Sequence, residues 1–236
     1  MAGEMNSFVT NSPTIKCETG DNIIYPFSPP IFQSEVSQKF IDSLLNEGDK
    51  LTREKDDWRH KLAGNLKHGG SYIYNNEYTK KVEKYLLNYV HRFLNTITET
   101  FGPAQVERMM EKSNFSKPEQ RLPESESRIA LDTCWINYQK RYDFNPPHNH
   151  KGVLSFVIFC KIPNNIFKEQ AVSNSPEAGK ILFQHGENNN KLMGSLFPVR
   201  PYEKLLFIFP SSLNHFVPAF WVDETRISVS GNFIVV

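Results

Sequence analysis

Two closely spaced histidines are the first residues of this sequence that could do chemistry. His148 and His150 are separated by one residue, so on a strand they would point to the same side. Imidazole nitrogens suit Fe(II), Zn(II) and similar metals, and the segment 145–147, Asn-Pro-Pro, stiffens the chain before them. For this pair alone, the alternative is a surface loop that carries two solvated histidines.

A third histidine favours the metal hypothesis. His215 lies in a separate strand-like segment, far along the chain from His150. Its neighbours are apolar, so the alternative is a buried histidine that hydrogen-bonds a backbone carbonyl. Taken together, the three positions predict a metal site.

The last strand-like segment has a polar face that includes a guanidinium. Side chains alternate along a strand, so one face of this segment carries Arg226, Ser228, Ser230 and Asn232. Ile227 and Val229 point the other way. An inward-facing Arg226 could bind a carboxylate through two parallel hydrogen bonds. The alternative is an amphipathic edge strand whose polar face lies in water.

These segments together resemble the 2-oxoglutarate (2OG) and Fe(II)-dependent oxygenase superfamily, and more narrowly the 2OG-Fe(II) oxygenases common in marine bacteria and their phages. The resemblance covers residues 128–236. It rests on the order of six segments: 135–138, 144–150, 154–158, 205–210, 213–215 and 226–232. It implies a double-stranded β-helix, a jelly-roll or cupin-like barrel, with Fe(II) at one mouth and 2OG as cosubstrate.

The resemblance also implies roles for seven residues. The positions of the metal ligands are taken by His148, His150 and His215. The positions that hold the cosubstrate are taken by Arg226, Ser228, Asn137 and Tyr138. In the family, the arginine binds the far carboxylate of 2OG. Because Asn137 and Tyr138 are adjacent, at most one of them needs to point inward.

His150 stands where the family has an aspartate or a glutamate. Three neutral imidazoles leave the metal site one unit more positive than two imidazoles and a carboxylate. Asp143 is an alternative carboxylate ligand or else a turn residue. A second register reads His150-Lys151-Gly152 as the vacant site of halogenase-like proteins. A three-histidine Fe dioxygenase that does not use 2OG also remains open.

The activity that the resemblance implies is a dioxygenase reaction. Fe(II), 2OG and O2 would hydroxylate an unidentified substrate, a small molecule or a peptide side chain, with release of succinate and CO2. The hypothesis from another class is a non-catalytic jelly-roll module with a binding or structural role. Such a module has no reason to point three histidines and Arg226 inward.

The two halves of the chain differ in their hydrophobic pattern. Residues 128–236 contain seven strand-like segments: 129–138, 154–162, 180–183, 192–199, 205–209, 215–220 and 225–236. Residues 1–127 are predicted to be a mostly helical layer that packs on the outside of this β-rich part, in one integrated domain.

The strongest helix prediction in the first half rests on one apolar stripe. At helical spacing it contains Val82, Leu86, Val90, Phe93 and Ile97. Gly48 is predicted to end an earlier helix. Residues 117–127, with two prolines and many charges, are predicted to form an exposed connector between the halves.

Composition excludes several other classes of protein. The chain has 236 residues, of which 39% are hydrophobic and 13% aromatic, enough for a sizeable core. With 27 basic and 26 acidic residues it has no basic footprint for nucleic acid. No apolar run approaches the roughly 18 residues of a membrane span. The three widely spaced cysteines and the N-terminal sequence predict a cytoplasmic location. Oligomeric state is not predicted.

Overall fold

The computed structural model describes residues 14–16, 20–24, 29–54, 57–104, 106–107, 129–168, 177–186 and 195–236. Its helices and strands are, in chain order, β1 (Thr14–Lys16), β2 (Asn22–Ile24), β3 (Ile31–Glu35), α1 (Gln38–Glu54), β4 (Gly70–Ile73), α2 (Asn76–Phe101), β5 (Ile129–Gln139), β6 (Asn145–His148), β7 (Leu154–Lys161), β8 (Ile181–Gln184), β9 (Leu196–Val199), β10 (Leu205–Pro210), β11 (Asn214–Val217) and β12 (Arg226–Val235). The predicted connector, residues 117–127, lies outside the described residues.

The strands form two antiparallel sheets. The larger sheet has the order β1-β2-β3-β10-β7-β12-β5-β4, and the smaller has the order β6-β11-β8-β9. Every strand pairing in both sheets is antiparallel. The prediction of a mainly β protein with helices is therefore confirmed, and each of the seven predicted strand segments overlaps a strand.

The first half of the chain contributes more than a helical layer. Strand β3 pairs with β10, and β4 pairs with β5, so both ends of the larger sheet come from residues before 128. These strands have only three to five residues, too few for an alternating pattern to be read from sequence. Strand β6 was also missed because two of its four residues are prolines, which suit only an edge strand.

The long helix α2 follows its prediction closely. All five residues of the predicted apolar stripe, from Val82 to Ile97, are fully buried. The helix begins where the Asn75 side chain accepts a hydrogen bond from the backbone N–H of Tyr78 (2.8 Å). It ends at Gly102, which adopts a positive φ of 82°.

Gly48 does not end helix α1, contrary to the prediction. The helix continues to Glu54, and Gly48 is buried where the helix crosses the larger sheet. A β-carbon at this position would lie 2.5 Å from Ile136 Cδ1 and 2.7 Å from the Tyr138 hydroxyl. The glycine is therefore required by a close approach between helix and sheet, not by a turn.

Two apolar clusters divide the molecule into three layers. The first cluster joins both helices to the outer face of the larger sheet and includes Ile227 and Val229. The second lies between the two sheets, where the Phe183 ring is 5.6 Å from Phe207 and 5.1 Å from Phe209. The polar side chains described next lie in this second interface. No helix within the described residues is long and apolar enough to cross a membrane.

Candidate metal centre and adjoining cavity

The three predicted histidines converge on one point. His148 ends strand β6, His150 follows two residues later, and His215 lies on β11. One ring nitrogen of each lies within 4.8 Å of those of the other two. The Nε2 atoms of His150 and His215 are 3.2 Å apart. The antiparallel pairing of β6 and β11 places His148 directly opposite His215, which explains part of this convergence.

Backbone carbonyls orient two of the rings. Nδ1 of His148 lies 2.6 Å from the carbonyl oxygen of Pro146, and Nδ1 of His215 lies 3.0 Å from that of Leu213. A carbonyl oxygen can only accept, so the proton of each ring is on Nδ1 and the Nε2 lone pair is available. Fixing the ligand tautomer through the second nitrogen is the usual arrangement at metal sites.

Burial keeps the three imidazoles neutral. It lowers the pKa of His148, lowers that of His150 to about 3, and lowers that of His215 well below its ordinary value. The neighbouring histidines lower the pKa of His150 and His215 further. Neutral imidazole is the form that binds a metal ion, so the cluster can hold one without first losing protons.

A cavity of about 450 Å³ lies beside the histidines, between the two sheets. Its lining includes the polar face of β12: Arg226, Ser228, Ser230 and Asn232. The residues directly opposite on β5 are, in the same order, Gln139, Asn137, Trp135 and Thr133. The Trp135 ring is 5.5 Å from the ring of His150. The strand therefore runs from the level of the histidines to Arg226, and the inward face predicted for β12 is the one observed.

Arg226 is a buried charge without an anionic partner. Its side chain is 2% exposed, and among the described residues no ion pair includes it. Its Nη1 donates a hydrogen bond to Gln139 Oε1 (3.1 Å), while Nε has no hydrogen-bond partner among the same residues. Burial lowers the pKa of Arg226 to about 10, so it remains charged at neutral pH. A buried, unpaired cation is costly, so the geometry suits an anionic ligand.

Two of the other predicted cosubstrate residues line the cavity, and one does not. Ser228 is buried on its wall, and Asn137 lies opposite, with its Oδ1 accepting from the Ser71 hydroxyl (2.6 Å). Tyr138 is adjacent to Asn137 and faces the helices, where its hydroxyl donates to Asp49 (3.2 Å). The role predicted for Tyr138 is therefore wrong, because neighbouring residues of a strand point to opposite faces.

Asp143 is a turn residue and not a metal ligand. Its carboxylate accepts hydrogen bonds from the backbone N–H groups of His68 and Lys140, both at 2.9 Å. The alternative register that begins at His150 would leave His148 without a role, whereas His148 belongs to the histidine cluster.

Several polar residues around the cavity were not assigned a role from the sequence. Gln139 contacts Arg226. It lies two residues after Asn137 on a strand, so the sequence could have predicted that both side chains face the cavity side of β5. Ser155 donates to Asn232 Oδ1 (2.9 Å) and lies 2.9 Å from the Ser211 hydroxyl. Ser211 in turn accepts the backbone N–H of His150 at 2.9 Å through its carbonyl. This network joins the segment of His150 to β12, and no spacing in the sequence indicates it.

The chain is similar to known proteins in sequence pattern and in fold. Residues 133–232 match the family model described as "Putative 2OG-Fe(II) oxygenase". A prolyl-4-hydroxylase from Pseudomonas putida is similar in structure, with a TM-score of 0.50 and 13% identity over 86% of this chain and 91% of that chain. A viral collagen prolyl hydroxylase from Paramecium Bursaria Chlorella virus-1 has a TM-score of 0.48 and 8% identity, over 86% and 94% of the two chains.

No curated protein matches the chain in sequence. At 13% identity, the likeness to the Pseudomonas enzyme concerns the fold alone. The family match is more specific, because the matched residues contain the histidine cluster, Arg226 and most of the cavity wall. Residues 133–232 are thus similar to the 2OG-Fe(II) oxygenases, a family of oxidoreductases named for its cosubstrate and its metal.

Proposed function

We propose that this protein is a dioxygenase that uses Fe(II) and 2OG to hydroxylate a substrate. The proposed metal ligands are His148, His150 and His215, and the proposed cosubstrate residues are Arg226, Ser228 and Asn137. One observation carries the proposal: a buried guanidinium, with no anionic partner among the described residues, lines the same cavity as three neutral imidazoles.

The donor set fits Fe(II). Three imidazole ligands on one side of an ion leave other coordination positions for cosubstrate and O2. When bound, the iron supplies redox chemistry in which 2OG and O2 give succinate and CO2 while one oxygen atom enters a substrate C–H bond. The chain itself fixes the tautomers of His148 and His215, lines a cavity between the sheets and supplies the Arg226 guanidinium on the wall of that cavity.

Arg226 suits the far end of the cosubstrate. 2OG carries a carboxylate at each end, and only one of them can chelate the metal together with the keto oxygen. The guanidinium offers a planar fork that binds the other carboxylate through two parallel hydrogen bonds. Ser228 lies next along the same face of β12, and Asn137 lies opposite Ser228 on β5.

The sheet topology supports a double-stranded β-helix. From β5 onward, the larger sheet takes β5, β7, β10 and β12, and the smaller takes β6, β8, β9 and β11. The chain thus passes repeatedly between two facing sheets, as in a jelly roll. We propose one integrated domain, because β3 and β4 of the first half extend the same larger sheet.

The substrate is proposed to be a small molecule or a peptide side chain. A cavity of about 450 Å³ is small, and part of it would be filled by 2OG. The cavity lining also includes larger and charged side chains: Trp58, Lys61, Asp132, Asn149 and Lys151. With 27 basic and 26 acidic residues, the chain is nearly neutral overall, which does not favour a polynucleotide substrate.

Turnover of 2OG tests the proposal. Fe(II)-loaded protein is incubated with 2OG and O2, alone and with pools of peptides and metabolites, and succinate is measured by NMR. We expect succinate to form with Fe(II), to increase with the right pool, and to accompany a product heavier by one oxygen atom.

A second candidate function follows from His150. Because it replaces a carboxylate, the site would be more positive, and an organic substrate could itself chelate the iron while Arg226 binds that substrate's carboxylate. Oxidation of a pool member without any consumption of 2OG would favour this three-histidine dioxygenase and contradict the main proposal.

A further inference from the structure

We infer that Gln139 is a positioning residue for the cosubstrate: its neutral amide holds the Arg226 guanidinium in place while leaving its charge for the distal carboxylate of 2OG. The inference rests on the proposed function, which assigns Arg226 to that carboxylate but gives Gln139 no role.

Gln139 lies directly opposite Arg226 in the pairing of β5 with β12. Both side chains are buried, at 1% and 2% exposure. Gln139 Oε1 accepts from Arg226 Nη1 at 3.1 Å, and Gln139 Nε2 donates to the carbonyl oxygen of Asp143 at 2.8 Å. The amide therefore links the guanidinium to a fixed point in the backbone.

The two partners of Gln139 determine how its amide is oriented. A guanidinium can only donate and a carbonyl oxygen can only accept, so a rotated amide would lose both hydrogen bonds. The carbonyl itself is well fixed, because it belongs to the turn 140–143. In that turn the Asp143 N–H donates to the Lys140 carbonyl (3.0 Å) and the Asp143 carboxylate accepts from the Lys140 N–H (2.9 Å).

The hydrogen bond to Gln139 involves only Nη1 of the Arg226 guanidinium. In the part of the chain that the structure describes, Arg226 Nε has no hydrogen-bond partner, and the guanidinium carbon lies 5.1 Å from the centre of the Phe159 ring. Gln139 thus restricts the orientation of Arg226 while donors remain for a ligand. A neutral side chain at 139 also matters, because a carboxylate there would form a buried ion pair and compete with 2OG for the same cation.

The test compares two ligands in the Gln139→Glu variant. Affinities of 2OG and of 2-oxopentanoate, in which a methyl group replaces the distal carboxylate, are measured by calorimetry on anaerobic Fe(II)-loaded protein. We expect 2OG to bind at least about tenfold more weakly than to wild type, roughly 1.4 kcal/mol, and 2-oxopentanoate to bind unchanged. Fe(II) affinity and the thermal midpoint should not fall.

Gln184→Glu is the matched control. It makes the same change of charge on β8, at a residue that does not line the cavity, and it should alter neither affinity. Gln139→Met provides a second variant of similar size without a hydrogen-bonding group. It should weaken 2OG binding and leave 2-oxopentanoate binding unchanged, and it decides the matter if the Glu variant does not fold.

The inference would be overturned if the Gln139 variants bound both ligands more weakly to the same extent, or if they bound 2OG as tightly as wild type. A merely structural role would lower the thermal midpoint without this selectivity for the distal carboxylate. If wild type binds Fe(II) but not 2OG, the proposed function fails and the inference fails with it. If wild type binds 2OG and Gln139→Glu binds it equally well, only the inference fails.

Discussion

Arg226 is a positive charge in the interior whose one described hydrogen bond goes to a neutral amide. In the Arg226→Ala variant, bound 2OG would leave a buried carboxylate unpaired, at a cost of about 3–5 kcal/mol. We expect the dissociation constant of 2OG to rise by two or more decades in this variant. Arg226→Lys should recover only part of the lost 2OG affinity, because the planar fork of the guanidinium is lost. Calorimetry with Fe(II)-loaded protein measures both, and an unchanged 2OG affinity in Arg226→Ala would contradict the assignment.

The three histidines make a separate prediction about the metal. Replacing His148, His150 or His215 by alanine removes one of three ligands, so Fe(II) affinity should fall by more than about tenfold, the smallest loss typical of even outer-sphere partners. His91→Ala is the control, since His91 is exposed on α2. Anaerobic Fe(II) titration of each variant measures the affinity, and a cluster variant that binds iron like wild type would exclude that histidine as a ligand.

The sequence indicated that the three histidines and Arg226 lie at one site, but it did not indicate which polar residues lie beside them. His148, His150, His215 and Arg226 could be found because their order and spacing match a known pattern and because β12 alternates clearly. Strand β5 is a weaker guide, since its second half is buried on both faces. Asn137 and Gln139 share one face with the apolar Trp135, while Tyr138 carries a hydroxyl on the other face. The sequence therefore did not show which of Asn137 and Tyr138 faces the cavity.

At the scale of elements, the contact between α1 and the larger sheet makes a prediction that runs against helix propensity. Alanine is favoured over glycine in a helix by about 1 kcal/mol, yet in Gly48→Ala the new methyl group would overlap Ile136 and Tyr138. Such overpacking typically costs about 1–3 kcal/mol. We expect the free energy of unfolding to fall, as measured by urea denaturation.

Asn46→Ala is the control for this substitution. It lies two residues earlier in the same helix and is exposed, so alanine there should leave the protein equally stable or slightly more stable. A Gly48→Ala protein that is as stable as Asn46→Ala would show that the helix can move away from the sheet.

The same two helices show where element prediction succeeds and where it stops. Helix α2 has a stripe of five buried residues over four turns, a signal that sequence carries by itself. In α1, a glycine in a helical pattern has two meanings, a helix end or a close contact. Only the position of β5 behind it, set by pairings between distant segments, distinguishes the two.

At the scale of the whole molecule, the helices, the larger sheet and the smaller sheet form three layers with different roles. The helices cover the outer face of the larger sheet, and the polar inner face of β12 is left for ligands between the sheets. Residues from the first half reach this interior as well, since Ser71 of β4 orients Asn137. The first half therefore supports the site directly, which its helical pattern did not predict.

The most direct test of the central claim is an anaerobic absorption titration of the protein with Fe(II) and 2OG. If the three histidines hold iron beside the Arg226 cavity, one equivalent of each should give a visible metal-to-ligand charge-transfer band. The band should be absent in His215→Ala and should require far more 2OG in Arg226→Ala. Stoichiometric Fe(II) binding by wild type with no band at saturating 2OG would contradict the claim that this cavity places the cosubstrate on the metal.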